Sequence, residues 1–89
     1  MSDDVAARLQ ADPTATLIID GHSDKGEKPG TAKRRAERVR DYLVNERKVD
    51  ANRVEIRSFD NTRPHESGDR KLNRRVVLTV VPQGAKRPD

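Results

Sequence analysis

Thr16-Leu17-Ile18-Ile19-Asp20-Gly21-His22-Ser23-Asp24 is the stretch whose reading decides the fold. Four residues of strand character, three of them strongly apolar, run into a carboxylate. The backbone then turns at a glycine, and a His-Ser-Asp cluster is left at the tip. A short apolar run bounded by turn residues reads as a buried strand, here Thr16 to Asp20. Polar groups at the end of a buried strand are either solvated turn residues or the start of a site.

The clearest helix follows. Ala32, Ala36, Val39 and Leu43 recur at helical spacing, with Tyr42 alongside and the charged residues Lys33, Arg34, Glu37, Arg38, Arg40 and Asp41 mostly opposite. Thr31 is read as its N-cap, and the helix should fade near Arg47. Val49 to Asn52 is a connector. Arg53 to Phe59 alternates, with Val54 and Ile56 on one face, as a half-buried strand does. Asp60 to Leu72 reads as a long polar loop. Arg75 to Val81 is the last strand, stopped by Pro82. Upstream, Ser2 is placed to cap a short helix with Asp3 and Asp4 in its first turn, and Val5 and Leu9 share a face. Asp12-Pro13 ends it. The order α-β-α-β-β predicts an α+β fold: a two-layer sandwich with helices on one face of a small mixed sheet. Residues 1–82 form a single domain, and residues 83–89 a polar tail expected to be mobile.

Composition constrains function. The chain has 89 residues, of which 31% are apolar and 38% charged, and its only aromatic residues are Tyr42 and Phe59. A chain of this length buries about 60–65% of its unfolded surface, so the core is thin and aliphatic. Nineteen basic against fifteen acidic residues give a net charge of +4. That permits polyanion binding, but stacking on nucleotide bases needs aromatic platforms that are scarce here. Phosphate-only contact through Arg70, Lys71, Asn73, Arg74, Arg75, Lys86 and Arg87 is the remaining nucleic-acid reading; no specific nucleic acid is expected. Cysteine is absent, which excludes disulfides and thiolate metal sites. No run approaches the roughly 18 apolar residues of a membrane span, and the N-terminus carries no apolar signal region.

Two residues carry the candidate chemistry. Arg35 lies beside the apolar stripe, next to Ala36, and so near the sheet, where a guanidinium can take a carboxylate with two parallel hydrogen bonds. Lys33 and Arg34 read equally well as solvated residues. Strand and helix should pack together, which brings Asp24 to the same end as Arg35. The plain reading of such a pair is a salt bridge. The alternative is a split pair, Asp24 taking an ammonium and Arg35 a carboxylate of one amino-acid ligand. His22 reads as a structural histidine, since His65 is remote and no metal-ligand spacing exists. No nucleophile has a base placed beside it, so neither catalysis nor a cofactor is expected.

The chain resembles the OmpA-like peptidoglycan-binding domain shared by outer-membrane protein A relatives, peptidoglycan-associated lipoproteins and flagellar stator proteins. Gly21-His22-Ser23-Asp24 fits the family's G-H-T/S-D. Arg34 through Leu43 fits R-A-x-x-V-x-x-Y-L, and Val49 through Val54 the linker and following strand. Phe59 through Arg63-Pro64 fits the aromatic-Gly-x-x-x-Pro loop, and Asn73-Arg74-Arg75-Val76 the N-R-R-V hallmark. Together these cover about residues 5–81 in the family's order. The resemblance implies non-catalytic binding to the diaminopimelate of the peptidoglycan stem peptide, anchoring a parent protein to the cell wall. It implies a periplasmic or cell-envelope location in a Gram-negative-type bacterium. By that analogy Asp24 takes the ammonium and Arg35 the carboxylate, with Asn73 and Arg74 shaping or lining the site.

The chain also departs from the family. The family's first strand has no counterpart, the loop from Asp24 to the helix is short and lacks the usual Asn and Leu-Ser, and Asp60 stands where glycine is usual. A shortened form of this kind suggests a second function class: a fold relic used as a protein-interaction or assembly module with an incomplete pocket. The last strand, Arg75 to Val81, would then be left at the sheet edge, and would either pair with a second copy or be shielded by another part of the chain.

Overall fold

The apolar run of β1 (Thr16–Gly21) forms the centre of a three-stranded sheet. β2 (Val54–Ser58) lies parallel to it on one side, with Leu17 opposite Val54 and Ile19 opposite Ile56. β3 (Val76–Val81) lies antiparallel on the other, with Leu17 opposite Val80 and Ile19 opposite Leu78. These features come from a computed structural model that describes residues 2–89. Parallel β1 and β2 require a crossover, which α2 (Thr31–Asn45) supplies. α1 (Ser2–Ala11) precedes β1, and a four-residue α3 (Arg70–Asn73) precedes β3. The expected capping role of the Ser2 side chain lies outside the described residues.

Strand alternation sorts the two faces. Leu17 and Ile19 join Val5, Ala6 and Leu9 of α1 and Ala36 and Leu43 of α2 in one core, flanked by Val54, Ile56, Val76, Leu78 and Val80. Both long helices therefore cover the same face, giving the expected two-layer α+β sandwich. The opposite face is mixed: Ile18 and Val81 are buried there, and Asp20 makes a bidentate ion pair with Arg57, at 2.6 and 2.9 Å. The terminal residues run back beside it. Arg87 pairs with Glu55, and Arg57 and Arg63 donate to the Pro88 and Asp89 carbonyls.

Three local details differ from the sequence reading. Thr31 is the first residue of α2 rather than its cap; Gly30 holds the cap position in left-handed geometry, and the Thr31 hydroxyl donates to the Lys28 carbonyl. The loop expected over Asp60 to Leu72 contains the start of α3, capped by the Asp69 carboxylate on the Lys71 N–H. Arg53, read as the first residue of a strand, lies in the 3-10 turn Ala51–Arg53. Its guanidinium donates to the carbonyls of Leu9, Asp12 and Ala15, closing the C-terminal end of α1 with a positive charge.

Two backbone positions set the packing. A Cβ on Gly21 would stand 2.1 Å from the Ala32 carbonyl oxygen, so only glycine lets α2 approach β1 this closely. Lys48 has φ 60. It follows α2 with the Val49 N–H donating to the Leu43 carbonyl, the long bond of a helix-terminating motif whose αL position favours glycine. We predict that Gly21→Ala destabilises the fold by roughly 3 kcal/mol, the upper end for overpacking. Lys48→Gly should stabilise it by roughly 0.5–1 kcal/mol, the relief of left-handed strain less the added unfolded-chain entropy. Urea midpoints of the two variants check both; a neutral Gly21→Ala or a destabilised Lys48→Gly contradicts the packing described.

Candidate functional site

Beyond Gly21 the chain does not rise into solvent. His22, Ser23 and Asp24 are all buried. Their backbone is tied down from both sides: the His22 N–H donates to the Arg75 carbonyl and the Ser23 N–H to that of Asp60. Asp60 adopts φ 49, which explains why a glycine suits that position. The His22 ring stacks on Phe59 at 5.5 Å, and the Arg63 guanidinium covers Phe59 at 3.7 Å. Burial, then the charge of Arg75, push the His22 pKa down against the opposing charge of Asp20, and so favour the neutral ring.

Asp24 is a buried carboxylate with assigned partners. Asn73 Nδ2 donates to its Oδ1 at 3.0 Å, and Arg70 donates to its Oδ2 from Nε at 2.9 Å and Nη2 at 2.8 Å. Arg70 and Asn73 are three apart on α3 and so share a face. Asn73 Oδ1 meanwhile accepts from the His65 N–H at 2.6 Å, which fixes the orientation of its amide. These hydrogen bonds, with Asn73 first and Arg70 next, hold the Asp24 carboxyl at about 2 against the usual 3.8, despite desolvation.

Arg35 reaches from α2 to the same end, as its place beside the apolar stripe suggested. Its Nη1 donates to the His22 carbonyl at 2.8 Å. The guanidinium does not meet Asp24. It clasps Glu27 through two bonds, 2.7 and 3.2 Å. Glu27 Oε1 also accepts the Asp24 N–H at 2.8 Å, so Glu27 bridges the two residues. Arg35, followed by the Asp24 N–H, lowers the Glu27 pKa. The expected simple salt bridge between Asp24 and Arg35 is thus absent; each has its own counterion. Lys33 and Arg34 are exposed, and Arg34 bonds the Thr31 hydroxyl. Arg74 is exposed and lines neither cleft, and reaches the site only through its charge acting on Glu27.

Two adjoining clefts open here, of about 310 and 280 Å3. Asp24, Lys25 and Asn61 line both. Glu27 lines the first and Arg70 the second, while Arg35 lines neither. Sequence reasoning missed Glu27 and Arg70. The one available signal was their charge, opposite to that of the residues they meet.

The OmpA family model matches residues 2–76. The chain belongs to the OmpA family. No curated protein matches it. Among solved structures, this OmpA-family chain is similar to the periplasmic domain of Helicobacter pylori MotB, with 22% identity and a TM-score of 0.78 over 93% of this chain and 60% of that one. It is similar to the peptidoglycan-associated lipoprotein from Burkholderia pseudomallei, with 24% identity and a TM-score of 0.75 over 89% and 73%. The OmpA-like domain of FopA1 from Francisella tularensis subsp. tularensis SCHU S4 matches at 16% identity and a TM-score of 0.72, over 91% and 59%. These likenesses establish the fold. The chain spans about three-fifths of the MotB and FopA1 chains.

The depressed Asp24 pKa gives this OmpA-like site an acid signature. A carboxyl held below its unfolded value stabilises the fold above that value and stops doing so as pH falls through the folded pKa. The contribution of Asp24 should therefore be complete above pH 3.8 and lost toward about 2. Carboxyl 13C titration should place Asp24 near 2, and Asp24→Asn should flatten the fall in stability across that window. A titration midpoint near the ordinary value would contradict the hydrogen bonding described.

Proposed function

We propose that this OmpA-family domain binds peptidoglycan without catalysis, through the α-amino-acid end of diaminopimelate in the stem peptide, and so holds a parent protein to the cell wall in the periplasm. The observation that carries the reading is a buried carboxylate kept ionised at the floor of a cleft, with a guanidinium of opposite charge linked to it through one intervening residue. A zwitterionic end group needs two such charges at a fixed separation, each satisfied by charge-assisted hydrogen bonds. Asp24 receives the ammonium, oriented by Asn73. Arg35 receives the carboxylate, and Arg74 adds positive charge nearby. Family membership supports the same reading, as does likeness in fold to a lipoprotein named for its association with peptidoglycan and to a periplasmic domain of MotB.

Calorimetry with a diaminopimelate muropeptide tests it. Asp24→Ala and Arg35→Ala should each weaken binding about tenfold or more, the scale for hydrogen bonds to charged groups. Lys33→Ala should leave it unchanged. A muropeptide with lysine in place of diaminopimelate lacks the second carboxylate and should bind more weakly. Equal binding by wild type and both site variants overturns the assignment, and leaves the domain as an assembly module.

β3 supports a proposal about assembly. It is an edge strand among the described strands, without charge along its length, and Val77 is 39% exposed. We propose that it pairs with β3 of a second copy. In an antiparallel ladder, directly opposite residues alternate between those that exchange hydrogen bonds and those that do not. The His22 to Arg75 bond puts His22/Arg75, Asp20/Val77 and Ile18/Thr79 in the first set. The N–H groups of Val76, Leu78 and Val80 therefore point outward. Leu78→Pro should abolish association while keeping the sheet, with Leu78→Ala as the packing control; Val77→Pro and Thr79→Pro should break the sheet itself. Sedimentation velocity across a wide concentration range decides. A wild type that stays monomeric, with slowly exchanging Val76, Leu78 and Val80 amides, contradicts the pairing.

A further inference from the structure

We infer that Glu27 and Arg70 are internal stand-ins for the ligand's two charges, so that a group carrying an ammonium and a carboxylate together binds by displacing both. The inference rests on the zwitterion-binding reading above. Each charge of the proposed site is matched by a side chain of the ligand's chemistry. Glu27 presents a carboxylate to Arg35 through the two-pronged geometry an incoming carboxylate would use. Arg70 presents a cation to Asp24, where an incoming ammonium would sit. The clefts are arranged accordingly: Glu27 lines one and Arg70 the other, and Arg35, clasped by Glu27, lines neither.

The two stand-ins are held unequally. The Arg70 side chain is 71% exposed against 6% for its Asp24 partner. Its release returns a guanidinium to water at little cost, and Asn73 keeps Asp24 oriented meanwhile. Glu27 is held more firmly, since it also accepts the Asp24 N–H and its side chain is only 20% exposed. It lies in the short loop between Gly26 and Gly30, whose φ of 86 marks backbone suited to glycine. An amine can thus enter by displacing Arg70 alone. A carboxylate must displace Glu27 and take over Arg35, and Glu27 leaves readily only when a second negative charge arrives. Glu27 therefore sets the cost of seating the acid, and Arg70 the smaller cost of seating the amine.

Glu27→Gln keeps an oxygen for the Asp24 N–H but removes the competing charge. For a diaminopimelate muropeptide, calorimetry should show about tenfold tighter binding, since the free state no longer holds a charge-assisted pair on Arg35. For the lysine muropeptide, which offers no second carboxylate, the same variant should bind no better, because it has lost a negative charge near the ammonium. Arg70→Gln should tighten both peptides about threefold, the scale of an exposed ion pair. It also provides the test if Glu27→Gln fails to fold. Glu27→Gln that weakens diaminopimelate binding or leaves it unchanged overturns the inference, and so does Arg70→Gln that weakens both. If Asp24→Asn and Arg35→Gln weaken binding about tenfold or more in those cases, the site reading stands without the stand-ins. If those two variants bind like wild type, the site reading fails and the inference with it.

Discussion

The contact between Gly21 and the first turn of α2 is the constraint on which the remaining structure depends. With no side chain at Gly21, the Ala32 carbonyl comes within a distance no Cβ would permit. α2 is thereby seated against the end of the central strand. One turn further along, Arg35 falls within reach of the His22 carbonyl. The three residues after Gly21 are then covered instead of solvated, and a carboxylate at the third of them must find partners or lose its charge. The chain supplies those partners from α3, far along the sequence, so the same contact that packs the core also makes the site buried and polar.

Arginine resolves much of the polar burial in a chain with little apolar material. Arg53 closes the end of α1 on three carbonyls, Arg57 neutralises Asp20 on the outer face of the sheet, and Arg63 covers Phe59. Planar, multiply donating guanidinium groups suit these tasks better than ammonium groups would. Three of the arginines are thus engaged on carbonyls, a carboxylate and an aromatic ring of the fold itself. These contacts cross-link the layers of a small aliphatic core.

Much of this was legible in the sequence where periodicity or a local motif speaks. The helical recurrence of Ala32, Ala36, Val39 and Leu43 placed α2, and the run from Thr16 placed the central strand. Both helices lie on the expected face. Asp24 and Arg35 were placed at one end because a strand and the helix after it pack together, and they are there. What spacing does not encode is which charge finds which. Glu27 and Arg70 meet their partners across loop geometry that no pattern of three or four residues announces, and Arg53 acts on carbonyls from a different element. α3 escaped notice because four residues give no period to read; its capping Asp69 was the only local sign.

The central claim is that Asp24 and Arg35 divide the two charges of one amino-acid end group between them. A crystal structure of the domain with a bound diaminopimelate muropeptide tests it most directly. The account predicts the ligand ammonium on the Asp24 carboxylate and the ligand carboxylate in a two-pronged bond with Arg35, with Glu27 and Arg70 turned away. A peptide seated elsewhere, or one bound while Glu27 still clasps Arg35, would contradict it.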